Sequence, residues 1–308
     1  MPERVQDSLI SILMLSYNHE RFAAEAIAGV LSQTYSPLEI IIIDDCSTDG
    51  TAKVIKAALA KHPHGSRATF AQNSSNLGPF GAARVGLGMA KGDFIVLASG
   101  DDIMLPNMVA DMAKVWMAEE VSLVTANADY IDENSQALGR THRDPNGTAD
   151  DNFETLVRDG ANACCFGAGI GFEREIYSTF GWPPGYLGAA DIMLPFWAYC
   201  LKGARFISKP LLKYRVHAHN TSLSLLAEKS DKLNELVTYE RMFYLHLAHA
   251  LFMQDELTRL GGRKPDRYAE LAPRISPLVS IQIVEMARKL VRARVELDEF
   301  RRRATNPG

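Results

Sequence analysis

Two pairs of adjacent aspartates stand at the ends of apolar runs: Asp44-Asp45 after "LEIIII" and Asp101-Asp102 after "FIVLASG". Adjacent carboxylates repel, and burying them at a strand end is costly unless a positive group lies nearby. The stretch "LASGDDIMLP" (97–106) contains no Lys or Arg, so the partner must come from elsewhere in the chain or from outside it. Hard carboxylate oxygens gathered on one edge suit a divalent cation, Mg²⁺ or Mn²⁺. A plainer reading makes each Asp the cap of the next helix. It suits "DDCSTDGT", where Ser47 or Asp49 could cap, but leaves two doubled pairs unexplained.

The elements that would position these residues can be read from periodicity. "LISILML" (9–15), "LEIIIID" (38–44), a short run at 68–71, "DFIVLAS" (93–99) and "VSLVTA" (121–126) read as strands. Helical spacing separates them: Phe22 to Leu31, 51–61, 80–91, and a helix opened by Pro106. Apolar strands alternating with helices predict a doubly wound, Rossmann-like α/β domain with a mostly parallel sheet covered on both faces. Ligands of such sheets lie at the carboxyl ends of the strands. There the sequence puts Ser16, Tyr17 and Asn18 after the first strand, Asp44 and Asp45 after the second, and Asp101 and Asp102 after the fourth.

The chain has 308 residues and a formal net charge of −4, with charge unevenly spread. From Arg263 onward eleven Lys/Arg face six Asp/Glu, a basic end on an acidic body. The overall balance excludes a nucleic-acid binder, whereas the basic end points to an anionic surface or partner. Cys46, Cys164, Cys165 and Cys200 form no CxxC pair and read as reduced thiols of a cytoplasmic protein. "MPERVQDS" is no signal segment and no apolar run is long enough to span a bilayer, so the expected location is cytoplasmic, with a peripheral place at the inner membrane face as an option.

Residues 127–160 are polar and rich in Gly, Asn and Asp, and read as loop. After Ser224 the pattern turns helical. One helix is expected from about Leu233 to a stop at Gly261-Gly262, and another after Pro277. In the latter Val279, Ile283, Met286, Leu290, Ala293, Leu297 and Phe300 alternate four and three apart, which suits a homodimer seam, a membrane contact or packing on the body. The expected division is 1–224 as the α/β domain (nucleotide half about 9–126, acceptor half about 127–224) and 225–308 as a helical C-terminal extension.

Several motifs carry no function on this reading. "GLGMAKG" (86–92) precedes a strand rather than following one, which is the wrong context for a dinucleotide fingerprint. No Walker A sequence occurs. His246 and His249 lack acidic or Cys partners at zinc spacing, and "AGIGFERE" (168–175) is either a phosphate loop or a tight turn before a helix.

Three blocks carry a family resemblance. "SILMLSYNHERFAAEAIAGVLSQTYSPLEIIIIDDCSTDGT" (11–51) resembles the opening of family 2 glycosyltransferases of the GT-A fold. "NLGPFGAARVGLGMAKGDFIVLASGDDIMLP" (76–106) is similar to the second block of that family, ending in its DxD-type motif. "GAADIMLPFWAYCLKGARFISKPLLKYRVHAHNTS" (188–222) resembles the acceptor-side block. The resemblance covers roughly residues 9 to 222 and implies an inverting enzyme. Such an enzyme moves a sugar from a nucleotide-diphosphate donor, by family frequency a UDP-sugar, to an acceptor hydroxyl with the help of Mn²⁺ or Mg²⁺. The acceptor would be a glycan, a lipid-linked sugar or a protein, in bacterial cell-surface polysaccharide synthesis.

The same resemblance assigns residues to roles. Asp45 matches the aspartate that contacts the base, Ser16, Tyr17 and Asn18 the loop around base and ribose, and Gly78 and Arg84 the donor side of the second block. Asp101 and Asp102 match the motif that binds ribose and metal, and His217 a metal or diphosphate ligand. Arg215 is placed to brace the phosphates, and Asp191 matches the catalytic base. Two positions depart from the pattern: Ser99 and Ala190 stand where the family usually has acidic residues. They raise the rival of a catalytically inactive homologue that binds sugar nucleotides or serves in assembly. A sugar-nucleotide pyrophosphorylase is a weaker rival, since "SYNHERF" offers no Gly-rich loop after the first strand.

Overall fold

The computed structural model describes residues 8–143, 155–157, 167–183, 185, 190–218, 220 and 232–305. In the first part of the chain β1 (Ile10–Ser16), β2 (Leu38–Asp44), β3 (Ala68–Gln72) and β4 (Phe94–Ser99) are all parallel, in the order β3-β2-β1-β4. Between them run α1 (Ala23–Leu31), α2 (Thr51–Lys61) and α3 (Gly78–Met89). Alternation along each strand sends side chains to opposite faces. Ile10, Ile12, Met14, Ile40, Ile42, Phe94 and Val96 fill one core, and Leu13, Ile41, Ile43 and Ile95 fill the other. Both faces are therefore dry, and the uniformly apolar strands require that.

The second half continues the same sheet with mixed directions. It contains β5 (Ile103–Met104), α4 (Met108–Ala118), β6 (Leu123–Ile131), β7 (Ala137–Thr141), β8 (Ile170–Glu173), α5 (Arg174–Phe180), α6 (Ala190–Leu201) and β9 (Ala204–Arg215). Among the described residues the sheet has nine strands, in the order β3-β2-β1-β4-β8-β6-β9-β5 with β7 hydrogen-bonded to β6. β8 lies antiparallel to both β4 and β6, while β6 and β9 run parallel. The loop expected from residue 127 onward is thus corrected over its first part. The strand runs on to Ile131, because β9 pairs with it along that length, and a turn returns it as β7. Asn127, fully buried, tolerates this position because its amide donates to the Ser208 and Arg143 carbonyls, each at 2.9 Å. "AGIGFERE" is a short turn, strand β8 and the start of α5, not a phosphate loop.

The chain ends in two long helices, α7 (Lys232–Arg263) and α8 (Pro265–Thr305). The expected stop at Gly261-Gly262 is displaced: both glycines lie inside α7, and the chain breaks only at Lys264. Gly261 lies against the Tyr268 ring of α8. Pro265, at the first helical position, lacks the N–H that a helix start leaves unpaired anyway. Likewise α8 begins at Pro265 rather than after Pro277, with Pro273 and Pro277 inside it. Burial of Leu271, Ile275 and Val279 on this stretch offsets the lost backbone bonds. The seven-residue apolar series packs within the chain: Val279, Met286, Leu290, Ala293 and Leu297 are buried as the two helices pair. Those side chains are consequently not a subunit seam. Leu257, Leu260, Leu271 and Ile275 join the same core as Trp197 of α6, so the hairpin shares its core with the sheet.

Candidate active site

The carboxyl ends of β1, β2 and β4 converge through backbone contacts. The Asp45 N–H donates to the Ser16 carbonyl at 2.9 Å, and the Gly100 N–H donates to the Leu15 carbonyl at 2.8 Å. A side chain on Gly100 would lie 2.4 Å from Ser16 Oγ and 2.6 Å from His19 Nδ1, so only glycine lets the motif sit this close to the first loop. Ser16 is buried, whereas Tyr17 is 41% exposed. Asn18 has a left-handed φ of 54°, and its side-chain oxygen accepts the Thr48 N–H at 2.9 Å, tying the first loop to the second.

The doubled aspartates prove to be divided in their work. Asp44 is fully buried and holds the turn after β2, accepting Ser47 Oγ–H at 2.5 Å and Gln72 Nε2–H at 2.8 Å. Asp45 accepts Asn73 Nδ2–H at 2.7 Å and the Leu77 N–H at 3.0 Å, anchoring the turn that enters α3. There Gly78 takes a φ of 70°, a conformation that favours glycine, and Arg84 lies on the exposed face of the same helix. Four free carboxylates on the sheet edge are therefore not what the fold provides. The helix-cap reading is met in part by Asp49, whose Oδ1 accepts the Thr51 N–H at 2.9 Å.

Asp101 is the carboxylate with imidazoles around it. Its Oδ2 lies 3.0 Å from His217 Nε2 and 3.6 Å from His19 Nε2. Its Oδ1 accepts a short hydrogen bond from the Ser99 hydroxyl. Burial raises the Asp101 carboxyl's pKa, but the His217 bond, the nearby His19 and the Ser99 hydroxyl outweigh burial and hold it below its ordinary value. Asp102 goes the other way. Burial first and Asp101 second raise it well above the usual carboxylate range, and its Oδ1 accepts the Arg215 N–H at 2.9 Å. Burial also lowers the pKa of His19, against the opposing pull of Asp101.

The family model for glycosyl transferase family 2 matches residues 11–181, more than half of the chain. The chain belongs to glycosyl transferase family 2. This glycosyltransferase is 27% identical to an uncharacterized glycosyltransferase of Nostoc sp., over 72% of this chain and 69% of that protein. It is 33% identical to the Escherichia coli enzyme WfgD, named a UDP-Glc:alpha-D-GlcNAc-diphosphoundecaprenol beta-1,3-glucosyltransferase, over 42% of this chain and 50% of that one. With GlyG of Streptococcus pneumoniae the match covers 40% of the relative, so the chain spans half or less of these last two. Among solved structures, S. aureus TarS 1-349 in complex with UDP-GlcNAc aligns with a TM-score of 0.58 at 15% identity, over 92% of this chain and 81% of that one. The Pyrobaculum calidifontis mannosyltransferase PcManGT in complex with GDP-Man and Mn²⁺ aligns with a TM-score of 0.54 at 18% identity, over 94% and 86%. These likenesses show the GT-A fold.

A divalent ion fits Asp101 and His217. The two side chains meet at 3.0 Å, so a carboxylate oxygen and an imidazole nitrogen would be available together to such an ion. Asp102 is not brought to that point, since its carboxylate is turned to the Arg215 main chain. Among the described residues no group of three His, Cys, Asp or Glu closes around an ion.

The structure reassigns Arg215. Its side chain is 1% exposed and its guanidinium reaches Glu25, Ser135 and the Asp101 carbonyl, so it is not presented to a donor phosphate. Asp191 falls in the first turn of α6, and its side chain lies outside the described residues. Sequence reasoning passed over His19, although it directly follows Tyr17-Asn18 in the first loop, and Asn73, which follows β3. No local signal pointed to Glu25 or Ser135, which join the site only through Arg215.

Proposed function

We propose that this glycosyltransferase moves a sugar from a UDP-sugar to an acceptor hydroxyl with inversion at the anomeric carbon, in the synthesis of a bacterial cell-surface glycan. The observation that carries this reading is the placement of Asp101 against His217 and His19 beside the Ser16–Asn18 loop and Asp45. On this reading Asp45 contacts the base through the lone pairs its turn leaves unused, and Ser16, Tyr17 and Asn18 surround base and ribose. Gly78 and Arg84, at the start and on the exposed face of α3, serve the donor side. Asp101 and His217 would hold Mn²⁺ or Mg²⁺, which would supply positive charge against the departing diphosphate. Asp191 takes the proton from the acceptor hydroxyl as the new C–O bond forms on the face opposite the leaving group. A helix N-terminus favours its ionised form.

The Ser99 hydroxyl, bonded to Asp101, argues against the inactive rival: the departure from the acidic pattern leaves Asp101 supported rather than stranded. The acceptor class taken here is a lipid-linked sugar, the class in the name of the E. coli relative, met at the inner membrane face. Its docking surface is the outer face of α8, where Ile281, Val284, Val291 and Val295 are 49–62% exposed and alternate with Arg288 and Arg292. Aliphatic side chains interleaved with Arg match an anionic lipid surface, and the positive charges oppose pairing with a second copy of the same face. A screen of nucleotide sugars, following nucleotide release with and without Mn²⁺, tests the donor and the chemistry together. Release from no donor under any metal condition sinks the reading.

A further inference from the structure

We propose that Arg215 is a positioning residue that sets the affinity of the Asp101–His217 pair for its metal and donor without touching either, an inference that rests on the reading of that pair given above. Every part of this residue is committed. Its main-chain N–H donates to Asp102 Oδ1 at 2.9 Å, and its Nε donates to the Asp101 carbonyl at 2.8 Å. Nη1 donates to Ser135 Oγ at 2.8 Å and to the Asp132 carbonyl at 3.3 Å, and Nη2 pairs with Glu25 Oε2 at 3.0 Å. The guanidinium carbon also lies 4.8 Å from the centre of the Phe22 ring.

These contacts join pieces that no strand pairing joins in this way. Glu25 belongs to α1 of the nucleotide half, Ser135 to the β6–β7 turn, and Asp101-Asp102 to the loop after β4. The third corner is closed as well, since Ser135 Oγ–H donates to Glu25 Oε2 at 2.6 Å. That bond first, and Arg215 after it, hold the Glu25 carboxyl below its ordinary range, so the buried guanidinium meets an ionised partner at neutral pH. A buried cation with a geometrically fitted fork of acceptors is rigid, because losing any one partner leaves charge desolvated.

The consequence falls on His217, two residues further along. Asn220 Nδ2–H donates to the Arg215 carbonyl at 2.9 Å, and its side-chain oxygen accepts the His217 N–H. Arg215, His217 and Asn220 are therefore braced against one another, with Arg215 at the root. Through Nε and N–H that root fixes the loop bearing Asp101, and through the turn it fixes His217. The separation of the two ligand atoms is thus set by a residue that contacts neither atom, its side chain holding the Asp101 loop and its main chain the turn to His217. Lysine is not equivalent, since its one nitrogen would replace the three that serve the Asp101 and Asp132 carbonyls, Ser135 and Glu25.

The test uses the full chain and measures UDP binding by calorimetry with and without Mn²⁺, with folding followed by circular dichroism and donor kinetics in parallel. In Arg215→Lys we expect Mn²⁺-dependent UDP affinity to fall by about 10-fold or more, the scale for lost support behind a ligand. Donor KM should rise with it, while kcat at saturating donor and metal stays within about 3-fold, a split that a general loss of structure does not give. Glu25→Gln and Ser135→Ala loosen the clamp from its outer side and should shift the same affinity in the same direction by less. If Arg215→Lys does not fold, these two variants decide, and unchanged Mn²⁺-dependent binding in both overturns the proposal. So does a folded Arg215→Lys with wild-type affinity, in which case the metal reading survives. Wild-type protein that binds UDP equally with and without Mn²⁺ overturns the metal reading and the clamp with it.

Discussion

His217 Nε2 and Asp101 Oδ2 stand 3.0 Å apart although 116 residues separate them in the chain. One follows β9, the last strand in sequence, and the other follows β4, which is three places away from β9 in the sheet order. The pair is brought together because β5, directly after Asp102, lies antiparallel to β9 with Ile103 opposite Lys213, and because the Arg215 turn then closes. The site therefore depends on the β5–β9 pairing and on the turn that follows β9.

Metal dependence is the first expected outcome. UDP affinity measured by titration calorimetry should fall sharply when Mn²⁺ is removed. Asp101→Asn should erase most of that difference, because it removes the anionic oxygen facing His217 while keeping the shape. His217→Ala should weaken it by about 10-fold or more. Equal metal dependence in Asp101→Asn and wild type would place the ion elsewhere.

Asp45 is 4% exposed and holds the entry to α3 through Asn73 and Leu77. Asp45→Ala leaves those donors unpaired, which should lower unfolding free energy by about 1–3 kcal/mol. The donor KM should rise as well, since the turn carrying Gly78 loses its anchor. A lowered melting temperature with unchanged donor KM would make Asp45 a structural residue alone.

For Asp191 the informative change is to asparagine, which keeps the size of a side chain in the first turn of α6. Folding and UDP binding should be unchanged. Transfer to acceptor should drop by roughly 10²-fold or more, the usual effect of a lost general base. Near-wild-type transfer would show that the base lies elsewhere.

The C-terminal hairpin makes two separable predictions. Leu257, fully buried in the core shared with Trp197, should destabilise the whole protein by about 2–5 kcal/mol when changed to Ala, seen as one cooperative transition in denaturant. A melt in two steps would mean that the hairpin unfolds alone. On the other face, Val284→Asp with Val291→Asp should reduce co-sedimentation with vesicles containing anionic lipid and leave stability intact. Unchanged sedimentation together with a change of oligomeric mass would assign that face to a second copy instead.

Much of the nucleotide half was legible in the sequence because its signals are local. Ile40 to Ile43 are apolar without alternation, which only a strand buried on both faces allows, and the helices between such strands force a parallel sheet. Asp45, Asp101 and the Ser16–Asn18 loop then fall on the carboxyl edge by topology alone, and no distance had to be known. The interior prolines and glycines of the C-terminal helices misled for the opposite reason. A local breaking tendency of about 3 kcal/mol for proline is overridden when Leu271, Ile275 and Val279 are buried on the same stretch. What only the tertiary structure decided is which carboxylate does which work. Asp44 and Asp45, or Asp101 and Asp102, are alike as neighbours in sequence, and each pair is divided by partners far along the chain: Gln72 and Leu77 for the first, His217 and Arg215 for the second. Arg215 shows the same limit most sharply, since its motif position fits a phosphate ligand and its burial against Glu25 and Ser135 makes it a clamp. Hydrogen bonding and burial fix a charged group's role, and both are properties of the folded packing.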